Sequence, residues 1–213
     1  MKLLVVDDHP VFRDGMAALL KQAAADTIVL QAPECATALN LANENPDIDA
    51  VFVDLQMPGM TGDMAVREFG KLRPELPVIV LSSSENPSDV RRALNAGALG
   101  YIPKSANPQT LLSALKLVLT GNIYVPPLLA RAAEPTANED SHAHTPAALE
   151  QLTERQVDVL KQLCTGLSNK EISSRLGIAE KTVKAHVAAI FKTLNVVNRT
   201  QAANAMRDAN LVV

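Results

Sequence analysis

Short apolar runs alternate with stretches of helical period over the first 124 residues. The runs "LLVV", "IVLQ", "AVFVD", "VIVLS" and "GYI" are rich in β-branched residues and show no polar alternation, as expected of strands covered on both faces. Between them, Phe12, Met16, Leu19 and Leu20 recur at helical spacing, as do Ala65, Phe69 and Leu72. Five strands alternating with helices predict a doubly wound parallel sheet of the α/β class. At residue 125 the pattern stops. The segment "VPPLLARAAEPTANEDSHAHTPAA" holds no sustained period and reads as a linker over 125–149. From 150 to 213 the pattern is wholly helical. Thr153 with Gln156, Ser168 with Glu171 and Asn198 with Gln201 have the spacing of capping pairs, and Gly166 and Gly177 fall where helices would end. Four short helices are predicted there, so the chain divides into 1–124, 125–149 and 150–213.

Charge sharpens this division. Residues 1–124 carry 10 Lys and Arg against 14 Asp and Glu, whereas residues 150–213 carry 9 against 6. An acidic front and a basic rear point to different partners, with nucleic acid a candidate for the rear. The apolar content of 47% supports packed cores, yet no run is long enough to span a membrane. "MKLLVVDD" is too short for a signal peptide, which predicts a cytoplasmic protein. Cys35 and Cys164 stand alone, without the spacing of a zinc site or disulfide frame.

Ligands of an open α/β sheet bind beyond the carboxyl ends of its strands. Asp7 and Asp8 follow the first strand, Asp54 ends the third, Ser82 follows the fourth and Lys104 the fifth. Three carboxylates gathered at one edge repel each other and call for a hard cation such as Mg²⁺, with Lys104 as a second positive charge. Phosphoryl transfer to a carboxylate fits this set. Asp54 is the candidate nucleophile, and Mg²⁺ would sit on Asp8, Asp54 and the Gln56 carbonyl, with Asp7 on a metal-bound water. Ser82 and Lys104 would each bind a phosphoryl oxygen. Taken singly, an Asp pair after a strand is often only a turn, and a lysine near a strand end is often only solvated. Their joint placement on successive strand ends carries the reading.

"VVDDHP", "VDLQMPGMTG", "VLSSS" and "GALGYIPKS" stand in the order and spacing of the receiver domain of two-component response regulators, which residues 1–124 resemble. The resemblance implies a flavodoxin-like sheet, phosphorylation of Asp54 by a partner histidine kinase, and dependence on Mg²⁺. It also implies a switch in which Ser82 moves toward the phosphate and Tyr101 follows inward.

In "KTVKAHVAAIFKTL", Val183, Val187, Ile190 and Leu194 share one helical face and are predicted core. The other face presents Lys181, Lys184, Ala185, Ala188 and Lys192, cations and small residues that suit an approach to DNA. Thr182 stands near the helix start, where a phosphate is favoured, and Asn169 and Lys170 open the preceding helix. Helix, turn and helix make a helix-turn-helix candidate, although a helical interaction module would share this basic face. "LTERQVDVL" followed by "GLSNKEISSRLGIAEKTVKAHVAAIFKTLNVVNRTQAA" closely resembles the LuxR-type helix-turn-helix. That implies a third helix lying in the major groove and a fourth that pairs two copies on DNA. By position, Lys184, Ala185 and Ala188 would face bases, while Asn169, Lys170, Thr182 and Arg199 would hold the backbone or support that contact. Two departures stand out. Ala179 occupies the place of a capping Ser, and Ala185 and Ala188 offer no side-chain hydrogen bonds, leaving readout to Lys184, thymine methyls and DNA shape.

Receiver plus LuxR-type helices is the arrangement of the NarL/FixJ subfamily. It implies a transcription factor, not a turnover enzyme, switched by phosphorylation and dimeric when phosphorylated or on DNA. Two rivals stay open. A metal-dependent phosphohydrolase would use the same acids but needs a further acid or base. A phosphorylation-independent regulator would use its receiver only for dimerisation or ligand binding.

Overall fold

A computed structural model describes residues 1–23, 26–119, 122–126, 149, 151–196 and 199–208. Strands β1 (Lys2–Val6), β2 (Ile28–Ala32), β3 (Ala50–Asp54), β4 (Val78–Ser82) and β5 (Gly100–Pro103) alternate with helices α1 (Pro10–Ala23), α2 (Cys35–Glu44), α3 (Gly62–Leu72), α4 (Pro87–Ala96) and α5 (Pro108–Leu119). All strand pairs are parallel, in the order β2-β1-β3-β4-β5. Side chains of a strand alternate between faces, so the five-residue strands feed two separate cores. Leu4, Val6, Val51, Val53, Val78 and Val80 pack with α2, α3 and α4 through residues such as Ala38, Phe69 and Val90. Leu3, Val5, Phe52, Ile79 and Leu81 pack on the other face with Met16 and Leu20 of α1 and Leu111, Leu115 and Val118 of α5. This explains the apolar runs of β1, β3 and β4, since neither face of these central strands meets water, whereas β2 lies at the sheet edge and leaves Ile28 exposed, so its run is not covered on both faces.

The helical unit contains α6 (Glu154–Cys164), α7 (Asn169–Leu176), α8 (Glu180–Leu194) and α9 (Arg199–Asp208). Thr153 and Ser168 form complete capping boxes with Gln156 and Glu171. Each box satisfies helix N–H groups that would otherwise lack a partner. Gly177 closes α7 in the left-handed region at φ 65°, where a side chain would be strained. Ala179 begins α8 with no side-chain cap. Val183, Val187, Ile190 and Leu194 are buried with Leu160, Leu163 and Ile172. Leu149, the last residue of the stretch read as linker, is buried in the same core. The rest of that stretch beyond residue 126, and the Asn198 cap, lie outside the described residues. No helix among the described residues is long and apolar enough to cross a membrane.

Candidate functional site

Four strand ends meet at the carboxyl edge of the sheet. Asp7, Asp54 and Ser82 are buried there, a costly position for two carboxylates unless they are paired. Lys104 supplies the pairing. Its Nζ lies 2.7 Å from Asp7 Oδ2 and 2.9 Å from Asp54 Oδ2, so one ammonium bridges both acids. Burial raises the pKa of the Asp54 carboxyl, and hydrogen bonds from Lys104 and the Gln56 N–H offset only part of that. Burial also works against the Lys104 charge, but its bonds to Asp7 and Asp54 outweigh it and raise the ammonium's pKa. Both shifts belong to one buried cluster carrying more negative than positive charge.

The local backbone is shaped around these acids. Gln56 N donates to Asp54 Oδ1 at 3.2 Å, and His9 N donates to Asp7 Oδ1 at 2.8 Å. Asp7, Asp8, His9 and Asp54 each place a ligand atom within 4.8 Å of the others. Three of these donors are carboxylates, a hard oxygen set that fits Mg²⁺. Ser82 Oγ accepts a bond from Ser84 N at 2.9 Å, and the Tyr101 hydroxyl donates to Ser84 O at 2.8 Å. Tyr101 is already turned inward and fully buried. Burial is the main reason its phenol pKa is raised.

Three further residues border the acids and Lys104. His9 Nδ1 lies 3.2 Å from Asp7 Oδ1 and 3.0 Å from Asp8 Oδ1. Arg13 Nη1 donates to the Asp7 carbonyl at 2.6 Å, tying α1 to the loop that bears the acids. Phe12, read only as core, places its ring under Lys104 Nζ, 4.6 Å from the centroid.

In the helical unit, Thr182, Ala185 and Lys192 are exposed and Ala188 is half-buried, on the face of α8 opposite its core. Asn169 and Lys170 open α7 beside the Ser168 cap. The Lys181 side chain lies outside the described residues. Arg199 differs from an outward-facing contact. It donates through Nη2 to Leu163 O at 3.1 Å and to Leu167 O, closing the carboxyl end of α6. Burial lowers its pKa to about 10. Lys184 Nζ stands 3.5 Å from Glu180 Oε1 and 3.8 Å from Asp49 Oδ1, just before β3. A cavity of about 250 Å³ is lined there by Asp49, Leu76, Lys184, Val187 and Phe191, at the amino edge of the sheet. The helix with the DNA-facing pattern thus approaches, through Lys184, the edge opposite Asp54.

Residues 3–116 match the response regulator receiver domain family, and residues 150–206 match the bacterial regulatory proteins of the LuxR family. The glycerol metabolism activator of Pseudomonas putida is 37% identical over 204 residues, covering 94% of this chain and 92% of that protein. The nitrate/nitrite response regulator protein NarL of Escherichia coli K12 is 37% identical over 206 residues, covering 94% and 92%. Among solved structures, the response regulator ChrA of a heme-sensing two-component system is 30% identical with a TM-score of 0.52, covering 99% of this chain and 98% of that one. A LuxR-family response regulator from Aurantimonas sp. is 28% identical with a TM-score of 0.59, covering 62% and 94%.

Proposed function

Since this chain belongs to the transcriptional response regulators that join a receiver to a LuxR-type DNA-binding domain, we propose that phosphorylation of Asp54 by a partner histidine kinase controls its hold on DNA. The observation that carries this reading is the single Lys104 ammonium bridging Asp7 Oδ2 and Asp54 Oδ2 at a buried sheet edge. An Asp54 carboxylate oxygen forms the bond to phosphorus. The P–N bond of the donor phosphohistidine breaks, and its electron pair leaves with the imidazole nitrogen. Mg²⁺, when bound, would supply charge neutralisation at the phosphoryl oxygens. Asp7, Asp8, Asp54 and the Gln56 carbonyl would hold it. Lys104 and Ser82 then bind phosphoryl oxygens, and Tyr101 reports the position of the loop after β4 through Ser84.

The DNA-binding role assigns Lys184, Ala185 and Ala188 to the major groove, with Asn169, Lys170, Lys181, Thr182 and Lys192 toward the phosphates. Arg199 supports this surface from behind by holding the end of α6. The contact of Lys184 with Asp49 occupies a DNA-facing cation in the resting chain, so release of α8 from the receiver accompanies activation. A homodimer on DNA and a cytoplasmic location complete the proposal. Its role is regulatory rather than that of a turnover enzyme.

Intact mass after incubation with acetyl phosphate and Mg²⁺ tests the acceptor. One phosphoryl adduct is expected, lost in Asp54→Ala and in EDTA, with DNA affinity changed by the adduct. An adduct that persists in Asp54→Ala, or DNA binding indifferent to phosphodonor, would overturn the reading. The latter result would favour the phosphorylation-independent regulator.

A further inference from the structure

Lys104 is held from three directions, of which two are the carboxylates of Asp7 and Asp54. The third is the face of Phe12, with Nζ 4.6 Å from the ring centroid. This lies within the range where the negative face of an aromatic ring attracts a cation. We infer that Phe12 is a positioning residue for Lys104, its ring fixing the ammonium over the acceptor site.

The chemistry of the three contacts distinguishes them. A divalent cation on Asp7, Asp8 and Asp54 draws on the same carboxylates that hold the ammonium, and it repels the ammonium by like charge. The ring is the one contact that a metal leaves intact. Its share in holding Lys104 therefore grows when the carboxylates are engaged. Phe12 sits in the first turn of α1, where it lines an apolar groove with Val11, Pro103, Ala106 and Leu111. Filling that groove needs only a side chain of the right size. Holding a cation needs the electrons of the ring, and that difference makes the role testable. The consequence for phosphorylation rests on the acceptor reading above, whereas the geometry of the ring and the ammonium does not.

The experiment uses the full chain with Phe12 replaced in turn by 4-fluoro-, 3,5-difluoro- and 3,4,5-trifluorophenylalanine, which keep ring size while draining its face of negative charge, together with Phe12→Leu. Three quantities are read: the Lys104 Hε chemical shifts without metal, the Mg²⁺ Kd from amide shifts at residues 54–56, and the rate of adduct formation from acetyl phosphate. The native Hε signals are expected upfield through the ring current and should return to ordinary positions in Phe12→Leu. The Kd should rise stepwise along the fluorinated series, by about three- to ten-fold at its end. A flat Kd across that series, or Hε shifts unmoved in Phe12→Leu, overturns the inference. If the native chain forms no adduct while the Kd series still slopes, the acceptor reading falls and the positioning role stands. Normal adduct formation with a flat series removes only the positioning role.

Discussion

Gly62→Ala should damage the acid cluster around Asp54 from outside it. Gly62 is the first residue of α3, and its N–H donates to Leu55 O at 2.9 Å. A Cβ placed there would stand 2.5 Å from Leu55 Cα and 2.8 Å from Asp54 O. Ordinary carbon contacts are about 3.5–4.0 Å, and here the opposing atoms are backbone, which cannot rotate away. The start of α3 must retreat by about 1 Å, or the end of β3 must yield. Overpacking of this kind costs about 1–3 kcal/mol, and weakening the Gly62–Leu55 hydrogen bond adds about 1 kcal/mol. A loss of about 2–4 kcal/mol would lower a urea midpoint by about 1–2 M. Gly70→Ala is the comparison, because nothing lies within 4 Å of its new methyl and it sits inside α3. There alanine should stabilise the helix by about 1 kcal/mol.

Stability alone would not separate a general packing fault from a fault in the site. The backbone that Gly62 crowds runs through Asp54 to Gln56, so Mg²⁺ affinity should fall as well. Urea titrations by circular dichroism and Mg²⁺ titrations by amide shifts measure the two effects. The reasoning would be refuted by a Gly62→Ala chain as stable as the parent and binding Mg²⁺ equally well.

Ala179→Ser should give α8 the missing side-chain cap and stabilise the helical unit by about 0.5–2 kcal/mol, read as a higher melting midpoint. Glu171 has its pKa lowered from 4.5 by hydrogen bonds from Ser168. Its stabilising effect is thus complete above 4.5 and lost as the pH falls through the lower folded value. Acid titration of helicity should show this loss in the parent and a smaller one in Ser168→Ala. Asp49→Asn should free Lys184 from a partly exposed ion pair worth about 0.2–1 kcal/mol. Duplex DNA binding by the unphosphorylated chain, measured by anisotropy at fixed salt, should tighten by up to about five-fold.

The acids were legible because of where they stand. A polar residue closing an apolar strand is visible without a structure, and parallel strands bring such residues to one edge. The helix caps at Thr153 and Ser168 were legible for a similar reason, since hydrogen bonds across three residues leave a fixed spacing. What stayed hidden depends on side-chain direction. Periodicity marked Phe12 as apolar and inward, but it carries no information about which ring face meets Lys104. Arg199 belongs to a basic, DNA-like pattern, yet a long side chain can bury its stem and turn its head inward, here to the Leu163 and Leu167 carbonyls. Leu72 matched the helical period of α3 but ends the helix and is 40% exposed. The approach of Lys184 to Asp49 joins two distant parts of the chain, and no local pattern encodes it.

That approach constrains how a phosphoryl group can act. Asp49 precedes β3 and Asp54 is its last residue, so they are separated by about 16 Å of extended chain. Phosphorylation of Asp54 would replace a carboxylate charge of −1 with a phosphoryl charge of about −1.5 to −2, a net gain of about one negative unit or less. Between unit charges at that distance the interaction is about 0.3–1 kcal/mol for effective dielectric constants of 80 to 20. Salt reduces it further, because the separation is about twice the physiological Debye length. The sign also runs against release, since added negative charge at Asp54 attracts Lys184 toward the receiver. A direct field from the phosphoryl group therefore cannot free α8. Beside Asp54, Ser82 Oγ accepts from Ser84 N and the Tyr101 hydroxyl donates to Ser84 O, so the half-buried Ser84 links β4 to β5. Tyr101 and Gly100 belong to β5, and Leu99 just before it donates its N–H to Val78 O of β4 at 2.9 Å. Leu99 lines the same cavity as Asp49 and Lys184. Leu99, just before β5, and Asp49, just before β3, thus both border the cavity beside Lys184, so either strand joins the edge that holds Asp54 to the edge that α8 approaches.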